Sequence, residues 1–131
     1  MNAVLIDTPI WLAYFRDGAG AWADAAAEVL EQGGAATCGS IVTELLAEAA
    51  NPAAAAEIGE ALRGLTQLAM TDEVFRYAGE LAVALREADV VLPLPRLLAA
   101  ATATIHHAAL LTPDARLHAA TRLRPLKLLC V

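Results

Sequence analysis

Apolar residues along this chain come in two rhythms. Nearly continuous short runs occupy positions 3–6, 35–38, 65–70, 109–112 and 127–131. Runs of that length without strict alternation predict strands buried on both faces, the pattern of a parallel sheet. Between them the apolar positions recur at helical spacing. Thr8-Pro9 opens a helix that continues through Trp11, Leu12 and Phe15, with proline in the first turn, and the segment 17–20 ends it. A second helix over 22–31 is closed by Gly33-Gly34, a third starts at a Ser40 cap and runs past Glu48 to Asn51-Pro52, and a fourth spans 53–63. Thr71-Asp72 caps a long amphipathic helix ending near Asp89. Pro93 and Pro95 introduce a helix over 97–107, and a last one covers 115–121. Strands alternating with helices predict right-handed crossovers and a parallel sheet covered on both faces. The 131 residues fit one domain.

Composition adjusts this picture only slightly. The hydrophobic share of 58% is high, but much of it is alanine, so Leu, Val and Ile must supply most of the burial. The net charge of −6, with Lys127 the single lysine, argues on its own against a phosphate-bearing partner. Carboxylates gathered around divalent cations would reverse that sign locally. Cys38 and Cys130 form no CxxC pair and no metal-ligand spacing, so both are expected as reduced, buried thiols of a cytoplasmic protein. Asp7 interrupts the first apolar run, so no secretory leader is expected. The longest uncharged stretch, 97–113, carries two histidines and turn residues and is not expected to span a membrane.

Parallel sheets bind ligands at the carboxyl ends of their strands, and two carboxylates stand at such ends. Asp7 closes the first predicted strand, and Asp114 follows the fourth. Either could simply cap the next helix. A buried charge at a strand end, however, needs a counter-charge or a cation. Glu44 lies one turn into its helix, where the dipole favours negative charge. Glu48, four residues on, repels it slightly unless their face meets a cation. His106 and His107 point about 100° apart on a helix and cannot chelate one ion together. His118 shares a helical face with Asp114, either as a metal pair or as an ordinary surface pair. Arg116, Arg122, Arg124 and Lys127 form the one basic concentration, a solvated face or a track for a nucleic-acid backbone. No Gly-rich phosphate loop and no G-x-S-x-G elbow is present.

Taken together these acids resemble the PIN-domain family, and within it the VapC toxins. Val4-Leu5-Ile6-Asp7-Thr8-Pro9-Ile10-Trp11-Leu12 is similar to the first family motif, an apolar strand running into Asp-Thr. Ser40-Ile41-Val42-Thr43-Glu44-Leu45-Leu46 resembles the second, Leu94 with Pro95 and the alanine-rich helix after it the third, and Leu110-Leu111-Thr112-Pro113-Asp114 the fourth. The four lie in order and at suitable spacings over nearly the whole chain. The resemblance implies an α/β, PIN-like three-layer α/β/α sandwich with a central parallel five-stranded sheet. It implies an endoribonuclease toxin of a type II toxin–antitoxin system, cutting single-stranded RNA with Mg²⁺ or Mn²⁺. Asp7 would be the principal metal ligand, Asp114 the second, and Glu44 a water-mediated ligand or base-positioning group; Thr8 and Thr112 would orient ligands or contact phosphate. An antitoxin laid across the acidic groove, and a homodimer, are the implied partners. Trp11, Phe15, Trp22 and Phe75 are candidates for core or interface, with core expected for most.

One position departs from the pattern. Arg96 stands where the third motif carries an aspartate. A cation in the first helical turn also opposes the dipole, by a few tenths to ~1 kcal/mol. Two roles are open to it: a salt bridge to Asp7 or Asp114 that displaces the metal, or a contact to substrate phosphate. The first is favoured, because losing a ligand and adding positive charge both oppose cation binding. Three readings follow: an RNA-cutting toxin, a degenerate PIN module that keeps partner binding but not cleavage, and an unrelated α/β binding domain whose acids are all helix caps.

Overall fold

The computed structural model describes residues 2–131. β1 (Val4–Ile6) leads into α1 (Thr8–Arg16) and α2 (Ala21–Gln32), and β2 (Ala35–Thr37) into α3 (Gly39–Ala47) and α4 (Pro52–Arg63). β3 (Thr66–Gln67) leads into α5 (Asp72–Glu87) and α6 (Leu94–Ile105), and β4 (Ala109–Thr112) into a 3₁₀ helix (Ala115–Arg122) and β5 (Leu128–Cys130). The strands form one sheet in the order β3-β2-β1-β4-β5, with every pairing parallel. β1 is central, with Leu5 opposite Ala36 on one side and Leu110 on the other. The chain first builds outward from β1 through β2 to β3, then returns to add β4 and β5 on the opposite side. The switch point therefore falls between β1 and β4, where such sheets open a crevice at their carboxyl ends.

Local sequence explains the frame. Ile6, Leu5, Leu110 and Leu111 are buried, as strands covered on both faces require. Gly33 ends α2 at φ 80°, a left-handed position that glycine adopts without strain. Ala99, Ala100, Ala101 and Ala103 have no exposed surface, and their small side chains let α6 pack against α5, α3, β1 and β4. That close approach brings the start of α6 to the switch point. The alanine bias is thus a packing device for the helix that carries Arg96.

Several expectations change. β3 keeps only two exposed residues of the predicted 65–70 run, because it lies at the sheet edge; Leu68 still donates its N–H to the Thr37 carbonyl at 2.8 Å. α6 begins at Leu94 rather than residue 97, since Pro93 supplies the extended cap and Pro95 suits the first turn. It ends at Ile105, with His106 as its cap and His107 at φ 56°. The last helix is 3₁₀ rather than α. Cys38 is buried as expected, but Cys130 is exposed, because β5 is the other edge of the sheet; both are free thiols. Trp11 is core at 1% exposure, whereas Trp22 and Phe75 lie outside it at 41% and 51%. Among the described residues no helix is long and apolar enough to cross a membrane.

The contrast between core and exterior is measurable by urea unfolding. Leu110→Ala, at the centre of the sheet, is expected to cost about 2–5 kcal/mol. Phe75→Ser, on the exposed face of α5, is expected to change stability by less than about 0.5 kcal/mol.

Candidate active site at the carboxyl end of the sheet

Asp7 is the residue immediately after β1. Its N–H donates to the Leu111 carbonyl of β4 at 2.9 Å, which fixes it across the switch point. Its side chain caps α1, accepting from the Thr8 N–H at 2.9 Å, so the capping role considered from sequence is real. It has further partners. Asp7 Oδ2 accepts from the Thr112 hydroxyl at 2.8 Å, and Oδ1 lies 2.6 Å from Arg96 Nη1. Asp7 has no exposed surface, and the Arg96 side chain is 7% exposed.

Arg96 also donates through Nη2 to Glu44 Oε1 at 2.8 Å. The same oxygen accepts the Thr8 hydroxyl at 2.7 Å. Arg96 from α6 therefore clasps the end of β1 to the middle of α3. This settles which pairing it makes: Asp7 and Glu44, with Asp114 outside the clasp. Its awkward position in the first turn of α6 is compensated by two carboxylates at contact distance.

Asp114 is held by a residue whose part the sequence did not disclose. Arg116 donates to both of its carboxylate oxygens, through Nε at 2.9 Å and Nη2 at 2.6 Å, and adds its backbone N–H at 3.0 Å. Arg116 Nη1 also reaches the Val91 carbonyl at 3.3 Å, tying the 3₁₀ helix to the loop before α6. Asp114 is the extended N-cap of the 3₁₀ helix, so its side chain turns back over the first turn and meets residue 116, whereas the helical-face spacing read from sequence pointed to His118. Thr112 joins the two aspartates: its hydroxyl donates to Asp7 and accepts the Asp114 N–H at 3.2 Å. Glu48 turns away to pair with Arg16 at 3.2 Å on the exposed rim.

Burial pushes the Asp7 carboxyl above its ordinary range, and Arg96, the Thr112 hydroxyl and the Thr8 N–H pull it back only in part. Asp114 moves the other way. The hydrogen bonds from Arg116 hold it below the usual carboxylate range, against a weaker effect of burial.

An open groove of about 500 Å³ lies over these groups. Pro9, Leu12, Ala47 and Pro95 give it apolar walls, and Glu44, Arg96, Asp114 and Arg116 bring charge to it. Asp7 does not line the groove, and Arg96 does. As arranged, the donor set does not fit a divalent cation. The candidate ligand Asp7 is buried and bonded to a guanidinium, Asp114 has both oxygens on Arg116, and among the described residues no three His, Cys, Asp or Glu side chains form a metal-holding group. Thr8 and Thr112, expected to orient ligands or touch phosphate, direct their hydroxyl protons to Glu44 and Asp7.

A family model described as the PIN domain matches residues 4–123. Among solved structures, a VapBC2 complex from Rickettsia felis bound to a promoter DNA fragment superposes with a TM-score of 0.77 at 17% identity, covering 96% of each chain. VapBC-5 from Mycobacterium tuberculosis, a toxin–antitoxin system, gives a TM-score of 0.71 at 20% identity over 100% of each chain. A toxin–antitoxin complex from Klebsiella pneumoniae gives 0.65 at 24% identity, covering 86% of this chain and 87% of that one. No curated protein sequence matches this chain.

Removing the clasp has a defined pH signature. Arg96→Met leaves Asp7 buried without its counter-charge, an expected loss of about 3–5 kcal/mol near neutral pH. An acid whose folded value lies above its unfolded value binds more protons when folded. Its favourable contribution is therefore complete below the unfolded value, 3.8 for Asp7, and is lost as pH rises through the folded value. Without Arg96, the strongest influence lowering Asp7, that fall extends to higher pH and grows in total. Urea unfolding across a pH series is expected to show the variant's deficit shrinking toward acid; a deficit independent of pH would mean that Asp7 is not the charge Arg96 balances.

Proposed function

Matched over residues 4–123, the chain belongs to the PIN-domain family, and from that premise we propose that it is the toxin-type member of a VapC-like toxin–antitoxin pair. It acts on single-stranded RNA at the groove over the switch point, and its cleavage is held down by Arg96. The observation that supports this reading is the gathering of Asp7, Glu44 and Asp114 around the carboxyl ends of β1 and β4, with Thr8 and Thr112 bonded among them. Helix caps alone would not draw three acids from separate elements to one crevice. The likeness in fold to VapBC complexes supports an antitoxin as the partner. The groove's apolar walls suit a peptide segment lying across its charged floor.

Arg96 favours the degenerate form of this reading over a fully active divalent-dependent nuclease. The chain's own residues bind and orient: Arg96 fixes Glu44 and Asp7, Thr112 couples Asp7 to Asp114, and Arg116 and Arg16 place guanidinium groups along the rim. Such guanidinium groups suit a phosphate backbone. Homodimerisation belongs to the same proposal, with the exposed Trp22 available for it, as does a reducing, cytoplasmic setting in which the free thiols persist.

The test is cleavage of single-stranded RNA in Mg²⁺ or Mn²⁺ by the wild type, Arg96→Asp, Asp7→Asn and the double variant, beside binding to a candidate antitoxin encoded next to this chain. Slow or absent wild-type cleavage is expected. Arg96→Asp should raise it at least tenfold, about 1.4 kcal/mol in barrier, and adding Asp7→Asn should abolish the gain. Rapid wild-type cleavage that survives Asp7→Asn would remove the acidic site from the reaction.

A further inference from the structure

We infer that the Arg96 guanidinium is the resident cation of this site, so that the wild-type chain holds no divalent ion between Asp7, Glu44 and Asp114. This concerns the same site as the proposed function but stands on the contacts of Arg96, so either can fail without the other.

Hydrogen bonds already occupy most of the candidate ligand oxygens. Asp7 Oδ1 meets Arg96 and the Thr8 N–H, and Oδ2 meets Thr112. Glu44 Oε1 meets Arg96 and Thr8, and both Asp114 oxygens meet Arg116. A hard divalent cation needs about six oxygen ligands with free lone pairs, and Mg²⁺ demands near-octahedral geometry. Protons already lie along those directions on most of the candidate oxygens.

Charge and access oppose an ion as well. An ion at bonding distance from Asp7 Oδ1 would compete directly with the guanidinium 2.6 Å from it. Asp7 has no exposed surface, and it is Arg96 that lines the groove. An arriving ion thus meets a fixed positive charge before its principal ligand. Nor does Arg96 leave freely. Its withdrawal strands a buried carboxylate and breaks the link between α6, β1 and α3. A guanidinium that satisfies two carboxylates at once is a stable substitute for the ion, and the fold needs no metal to be complete.

The experiment follows Mn²⁺ by nuclear magnetic resonance on the intact protein, reading paramagnetic broadening of backbone amides. For the wild type, no selective broadening is expected at Thr8, Glu44, Thr112 or Asp114, and Mg²⁺ should not move the thermal midpoint. For Arg96→Asp, those amides should broaden selectively, with Mn²⁺ bound at least about tenfold more tightly than by the wild type. Should Arg96→Asp fail to fold, Arg96→Gln, which removes the charge and the guanidinium without adding a carboxylate, takes its place with the same expected direction. Selective broadening in the wild type at the same ion concentration as in the variant would overturn the inference. A folded variant that remains silent would overturn it too, by showing that Arg96 is not what excludes the ion.

Discussion

The buried contact between Arg96 and Asp7 determines how the end of the sheet is built. Desolvating a carboxylate and a guanidinium costs several kcal/mol per ion, and their attraction alone does not reliably offset it. Here the additional hydrogen bonds decide the balance. Asp7 accepts from Thr8, Thr112 and Arg96, and bonds to a charged group contribute about 1.5–3 kcal/mol each. That is of the same order as the burial cost, which is consistent with a carboxyl still held above its ordinary range. The arrangement is nearly neutral in net stability but unforgiving of partial removal. It also defines geometry, since it joins β1, α3, α6 and β4 at one point.

The groove inherits its character from this arrangement. Four acids lie in or beside it, and three arginines answer them: Arg96 for Asp7 and Glu44, Arg116 for Asp114, Arg16 for Glu48. An acidic chain of net charge −6 therefore presents at its candidate site a surface largely neutralised from within. The two rim pairs are exposed and contribute little to stability. Their effect is on orientation, because Arg116 holds both Asp114 and the Val91 carbonyl of the loop before α6.

Much of this was readable in the sequence, for physical reasons that differ by element. Central strands announce themselves because Val4 to Ile6 and Ala109 to Leu111 are apolar on both faces, and the Asp7 and Asp114 caps mark where they end. Edge strands do not: β3 is two exposed residues and β5 leaves Cys130 open to solvent, so burial inferred from apolar runs fails there. That Arg96 was anomalous was legible from its place in a first helical turn and from the family pattern. Its second partner was not, because only the packing of the alanine face of α6 against α3 brings Arg96 to Glu44. Arg116 was hidden for another reason. The sequence placed Arg116 in a basic surface concentration and paired Asp114 with His118, whereas the Asp114 cap draws Arg116, its second neighbour, onto both carboxylate oxygens.

The central claim is that Asp7 and Arg96 form one electrostatic unit, and a double-mutant cycle on stability tests it most directly. Asp7→Asn, Arg96→Met and the double variant would be unfolded in urea at neutral pH beside the wild type. The account predicts a coupling energy of about 2–3 kcal/mol, with the double variant more stable than the single losses summed. Additive losses, coupled by less than about 0.5 kcal/mol, would contradict it.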